Sequence, residues 1–208
     1  MSFSQKIRLA EKHLAKKDPK LAELIAQHGP VKLTPQTNRY GRLVRSIVGQ
    51  QLSVKAAASI WNRVLELFSG ELPTPEQLLT ADSETLRACG ISYPKIGYMK
   101  DLAEHILDGR LDLDHVATMP NDQLIEQLTA VKGIGEWSAH MFMIFTLGRL
   151  DVLPVGDLGI KNAVKKVYRL RELPDAAKII TLANRCGWHP YESVAALYLW
   201  ASLDNSPK

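Results

Sequence analysis

The sequence predicts an all-α protein, and three observations carry that expectation. Apolar residues recur at helical spacing through most of the 208 residues, and helix-capping and helix-stopping residues punctuate the chain. The alternation of apolar and polar residues that marks strands is essentially absent.

The elements follow in order. Residues 3–28 read as two short helices broken at Asp18-Pro19, and Gly29-Pro30 ends the second. After a loop to Thr37, Asn38 caps a helix running to about Gln50, and Ser53 caps the next. Along that second helix Ile60, Trp61, Val64, Leu65 and Phe68 share helical spacing, and Gly70 stops it. Thr74-Pro75-Glu76-Gln77 has the form of a capping box with proline in the first helical position. Further helices are expected over 82–89, 93–108 and 121–130. The turn Val131-Lys132-Gly133-Ile134-Gly135 then leads into a helix over about 136–148, followed by a loop containing Pro154. Helices over 158–169, 175–186 and 191–203 complete the chain. Segments 137–147 and 191–201 are apolar on nearly every face, which predicts central, buried helices.

Composition narrows the functional classes. With 46% hydrophobic and 23% charged residues the chain is an ordinary globular protein large enough for a proper core. Cys89 and Cys186 are the only cysteines, so a four-thiolate cluster and a Cys-x-x-Cys zinc or redox site are both excluded. His13, His28, His105, His115, His140 and His189 show no ligand spacing and read as structural or surface residues. The N-terminus is charged throughout, and no apolar run reaches the roughly 18 residues of a membrane span. No membrane partner is expected. The location expected from composition is cytoplasmic.

The net charge of +4 hides a segregation. Between Glu23 and Glu66 there is no acid, but Lys32, Arg39, Arg42, Arg45, Lys55 and Arg63 are present. Lys161, Lys165, Lys166, Arg169 and Arg171 likewise stand without an acid between Asp157 and Glu172. Residues 71–126 carry a net −7, leaving +11 on the rest of the chain. Such asymmetry points to a polyanionic partner, nucleic acid above all, although bases scattered over solvated helix faces would give the same count.

The segment from Leu128 to Ala139 places a Gly-x-Gly turn between two helices. A residue without Cβ lets backbone N–H groups approach a phosphate closely, and a following helix adds its positive dipole end. Contacts of this kind grip a nucleic-acid backbone without reading sequence. A plain loop between helices is the simpler alternative, and Glu136 would repel a phosphate unless its side chain points away.

Together with Val155-Gly156-Asp157-Leu158-Gly159-Ile160, the hairpin segment resembles the helix-hairpin-helix DNA glycosylases with a Gly/Pro-rich loop and a single aspartate, the HhH-GPD superfamily. Within it the chain is similar to the DNA-3-methyladenine glycosylases of the alkylation-repair branch. Ile47 to Ala57, Gly90 to Lys95 and Trp188 to Trp200 are blocks that agree, so the resemblance spans about 38–203. It implies a two-lobed helical fold with the cleft between lobes. The expected lobes are 1–37 plus 153–208, and 38–152 with the helix-hairpin-helix at about 121–148. The expected form is one without the β-rich N-terminal domain of some members, since the residues before 38 are too few for it.

The resemblance also implies roles. Asp157 is the catalytic carboxylate, facing C1′ to stabilise the positively charged sugar of the transition state. A helix start and Lys161 one turn on both favour its charged form, whereas its commonest role without the motif is a plain N-cap. Trp137 and Trp200 line the base pocket with Met141, which departs from the aromatic of some relatives; the simpler alternative is that both tryptophans are core. An indole face attracts a cationic alkylated base by about 0.5–2 kcal/mol and hardly favours a neutral one. Gln50-Gln51-Leu52 is the turn entering the minor groove, with Gln51 or Leu52 as the wedge that fills the hole left by a flipped nucleotide. Lys95, Lys132, Gly133, Gly135, Ser138 and Lys161 complete the implied DNA contacts. Backbone carbonyls of Thr129, Val131 and Ile134 form a candidate site for a structural monovalent cation, and no other cofactor is implied.

Family members that also cut the strand use a lysine where this chain has Trp137, which predicts a monofunctional glycosylase with water as nucleophile. The iron–sulfur cluster of some relatives has no ligands here. The expected substrate is duplex DNA holding 3-methyladenine or 7-methylguanine, bound by a monomer. The alternatives are a non-catalytic module for damaged or bent DNA, and a glycosylase for oxidised or mispaired bases.

Overall fold

A computed structural model describes residues 1–203, and among them there are helices and no strands. In chain order the helices are α1 (Phe3–Lys17), α2 (Pro19–His28), α3 (Arg39–Gly49), α4 (Val54–Leu67), α5 (Pro75–Thr80), α6 (Ser83–Ala88) and α7 (Tyr93–Leu107). They continue with α8 (Asn121–Ala130), α9 (Glu136–Met141), a π-helical turn (Phe142–Thr146), α10 (Leu158–Val167), α11 (Ala176–Arg185) and α12 (Glu192–Ala201). The all-α class is as the sequence predicts, and the caps explain why. Asn38, Ser53 and Asp157 each accept a first-turn N–H of the helix they precede, and Thr74 and Gln77 form both halves of the capping box.

One element differs. The helix expected over 136–148 is α-helical only to Met141 and then widens into the π turn, with the Arg149 N–H reaching back to the Met143 carbonyl. Phe142, Met143, Ile144 and Thr146 are all buried, a crowding that a pattern search for 3.6-residue periodicity does not resolve.

The chain forms two compact units. The first joins Met1–Gln36 to the segment from Met143 onward, and the second is Thr37–Phe142. The sequence expectation placed the second crossing at 152/153; it falls at 142/143 because residues 143–152 bond within the first unit. The Gln36 N–H donates to the Thr146 carbonyl, the Ser193 N–H to Leu150, and buried Ser193 Oγ bridges both backbone groups of Val152. Residues 204–208 of the expected first lobe lie outside the described residues.

The core of the first unit gathers Leu14, Leu21, Ile160, Ile179, Trp188, Tyr198 and Leu199 around α12, which is buried as its apolar sequence predicts. Two buried carboxylates are satisfied there: Asp18 accepts from the Trp188 indole and the Tyr168 hydroxyl, and Glu11 from the Tyr198 hydroxyl and the Val31 N–H. The second unit packs α3 on α4 and α5 on α7, burying Leu43, Ile47, Val64, Leu78, Met99 and Leu102.

Candidate active site

In the first unit the site grows from the loop before α10. Ser193 anchors Val152, and the Asp157 N–H closes a turn on the Pro154 carbonyl. That turn delivers Asp157 to the N-cap of α10. Its Oδ1 accepts the Ile160 N–H at 2.8 Å and the Trp200 indole N–H at 2.9 Å. The N-cap role is therefore real, and a second donor joins it. The partner is Trp200, 43 residues along the chain, which the resemblance implies for the same site.

Gly159 explains how two large groups converge. A Cβ at that position would lie 2.9 Å from Asp157 Oδ1 and 3.1 Å from two atoms of the Trp200 indole. Trp200 also stacks on Phe145, with centroids 5.9 Å apart and planes 29° from parallel. Phe145 and Gly159 were not singled out in the sequence; Phe145 sits in an all-apolar run and Gly159 inside the Asp157 motif, and only the packing separates them from their neighbours. Lys161 lies half-buried one turn along α10, its backbone N–H on the Asp157 carbonyl.

The second unit holds the remaining candidates. The hairpin from α8 to α9 turns through Gly133 at φ +81°, with the Ile134 N–H on the Val131 carbonyl. The Tyr98 ring packs so closely over Gly133 that a Cβ would come within 2.2 Å of it. Gly135 is different: it caps α9, and nothing lies within 4 Å of where its Cβ would be. No side chain caps the start of α9. Glu136 turns along the helix, its carboxylate 3.9 Å from His140, whose pKa burial pushes below its ordinary value. Ser138 follows in the first turn, half-buried, and Met141 is also half-buried. Trp137 is 54% exposed, which rules out the plain core alternative for this residue.

Lys132 is tied to Asp101 of α7, its N–H and its ammonium on the two carboxylate oxygens. Burial acts to raise the Asp101 pKa, but these bonds outweigh it and hold the carboxyl below its ordinary value. The turn after α3 exposes Gln51 and Leu52, with Gln51 at φ 56°. Gln50 Nε2 donates to the Gly133 carbonyl at 2.7 Å. Lys95, expected among the DNA contacts, instead donates to the carbonyls of Val48 and Gln50. It is half-buried, and desolvation lowers its pKa.

The basic run needs a similar correction. Arg39 donates to the carbonyls of Leu113 and Asp114, Arg63 to the Cys89 carbonyl and the Ser59 hydroxyl, and Arg45 stacks over Trp61. Three of the six bases between Glu23 and Glu66 thus serve the fold, and the charge count overstated the surface open to a polyanion. Among the described residues no group of three His, Cys, Asp or Glu side chains is placed to hold a metal, and no helix is long and apolar enough to cross a membrane.

Comparison with known proteins agrees with these motifs. Residues 44–187 match the family model described as HhH-GPD superfamily base excision DNA repair protein. DNA-3-methyladenine glycosylase 1 of Schizosaccharomyces pombe is 37% identical over 196 residues, covering 92% of this chain and 85% of the relative. The alkylbase DNA glycosidase-like protein mag2 of the same organism is 36% identical over 205 residues, covering 96% and 95%. Among solved structures, a DNA-3-methyladenine glycosidase from Bacillus halodurans superposes with TM-score 0.86 at 43% identity, covering 94% of this chain and 89% of that one. The S. pombe 3-methyladenine DNA glycosylase Mag1, solved in complex with abasic DNA, gives TM-score 0.80 at 34% identity over 96% and 98%. On motif, sequence and fold together, the chain belongs to the HhH-GPD superfamily of base excision DNA repair proteins.

Proposed function

We propose that this chain is a monofunctional DNA glycosylase that flips alkylated purines, 3-methyladenine and 7-methylguanine, from duplex DNA and hydrolyses the N-glycosidic bond. The relatives named for this activity cover nearly the whole chain, which supports the substrate class. The observation that carries the mechanism is the Asp157 carboxylate, held on one oxygen by both a helix N–H and the Trp200 indole. A carboxylate fixed in this way is preorganised to oppose the positive charge that develops at C1′ as the bond electrons leave with the base. Water then adds to C1′ and releases a proton, giving an abasic site. Trp137 stands where strand-cutting members place a lysine, so no Schiff base forms there and the backbone stays intact.

The aromatic faces of Trp137 and Trp200 favour a cationic base, and Met141 adjoins Trp137 one helical turn along α9. Gly133, Gly135 and Ser138 approach the phosphate backbone, with Lys132 and Lys161 adding charge, and Gln51 or Leu52 enters the stack. Thr129, Val131 and Ile134 fit a monovalent cation. Thr129 lies in the last turn of α8 with its hydroxyl turned back onto Ile125, and Val131 is the C-cap, so two of the three neutral carbonyls stand at the negative end of the α8 dipole, while that of Ile134 comes from the hairpin. The protein works as a monomer on this reading. The test is incubation with methylated duplex DNA and identification of the released bases: free 3-methyladenine or 7-methylguanine with uncut strands is expected, and binding without any release would overturn the reading.

A further inference from the structure

We infer that Lys95 and Gln50 are positioning residues that lock the intercalating turn to the phosphate-gripping hairpin, so that wedge and hairpin act as one rigid tool on the duplex. The inference rests on the base-flipping activity proposed above and adds residues that do not themselves touch DNA. Its geometry lies wholly in the second unit. Lys95 Nζ sits 2.9 Å from the Val48 carbonyl and 2.6 Å from the Gln50 carbonyl, at the C-terminal end of α3. These carbonyls have no helical partner, and an ammonium there also complements the dipole. From the same turn Gln50 reaches the Gly133 carbonyl in the hairpin.

Helix α7 supplies the frame for both. Lys95 on its first turn holds the wedge turn, Tyr98 on the next packs on Gly133, and Asp101 on the third holds the Lys132 N–H. Between them Gln51 adopts a left-handed conformation that non-glycine residues seldom take, and such a backbone persists only where its surroundings over-determine it. A lysine serving as a phosphate contact would keep its ammonium in water. Lys95 is half-buried, directs its ammonium at two neutral carbonyls, and is desolvated enough that its pKa falls. Pushing a base out of the stack loads the wedge, and a wedge on a loose turn would yield instead of displacing the base.

The test uses a duplex with a tetrahydrofuran abasic analogue beside 2-aminopurine, whose fluorescence reports stacking. At saturating protein the wild type changes that fluorescence on inserting the wedge. Lys95→Met and Gln50→Leu should each lose at least half of the change at saturation, while the slope of log affinity against log salt stays at the wild-type value. A full fluorescence change in both variants would overturn the inference. So would a slope reduced by about one in Lys95→Met, the mark of a lost phosphate contact. Gln50→Leu alters a half-exposed side chain and decides the matter should Lys95→Met fail to fold. Excision of 7-methylguanine by the wild type is read in parallel. Wedge insertion without excision would sink the activity and leave the brace standing, whereas excision with intact insertion in both variants would do the reverse.

Discussion

Asp157, Gly159 and Trp200 behave as one group, and their coupling changes what substitutions mean. Asp157 is an N-cap in form, but a cap needs one accepted N–H and this carboxylate oxygen has two. Gly159→Ala would push a methyl against both the carboxylate and the indole. We expect excision to fall at least tenfold with a melting temperature close to wild type, since a displacement on the order of 1 Å at a reacting centre can cost about 100-fold. Trp200 has two separable parts. Trp200→Phe keeps an aromatic face but deletes the N–H donor to a charged oxygen, a bond worth roughly 1.5–3 kcal/mol, so excision of every substrate should fall in parallel. Trp137→Leu removes the aromatic face of a residue that is more than half exposed. Excision of cationic 7-methylguanine should then fall more than that of neutral hypoxanthine, with a melting curve little changed. An unchanged ratio of the two rates would remove Trp137 from the pocket.

In the hairpin the two glycines of Gly133-Ile134-Gly135 serve different physical ends. Gly133 is required by the protein itself, through its positive φ and the Tyr98 ring above it. Gly133→Ala should therefore destabilise the second unit, by about 1–3 kcal/mol. Gly135 meets nothing within 4 Å, so Gly135→Ala should leave the melting curve alone and weaken binding to damaged and undamaged duplexes alike. A loss confined to damaged DNA would mean that the hairpin reads the lesion. Helix positions were legible in the sequence because each start carries a local signal: Asn38, Ser53, the Thr74 box and Asp157 all cap as their residue types dictate. The π turn after Met141 was not, because periodicity in an all-apolar run carries no phase.

For the molecule as a whole, the resemblance implied lobes that part at 152/153, whereas the two compact units part at 142/143, where Ser193 and Gln36 hold residues 143–152 through bonds to backbone that composition does not encode. Charge was the least faithful guide. Lys95, Arg39 and Arg63 look in sequence like phosphate ligands and are spent on carbonyls, since a long cationic side chain serves either purpose equally well. Arg63→Leu should accordingly lower stability, by about 1 kcal/mol, and leave the salt dependence of duplex binding unchanged. A reduced salt slope would return Arg63 to the DNA-facing surface.

In the proposed mechanism the negative charge of Asp157 drives excision. Asn caps a helix as well as Asp and still offers an oxygen to Ile160 and Trp200, so Asp157→Asn changes charge with little change of shape. The decisive measurement is single-turnover release of methylated bases by this variant, beside its affinity for abasic-site DNA. Release should slow by at least about 100-fold, with affinity close to wild type. Near-normal release by Asp157→Asn would contradict that mechanism.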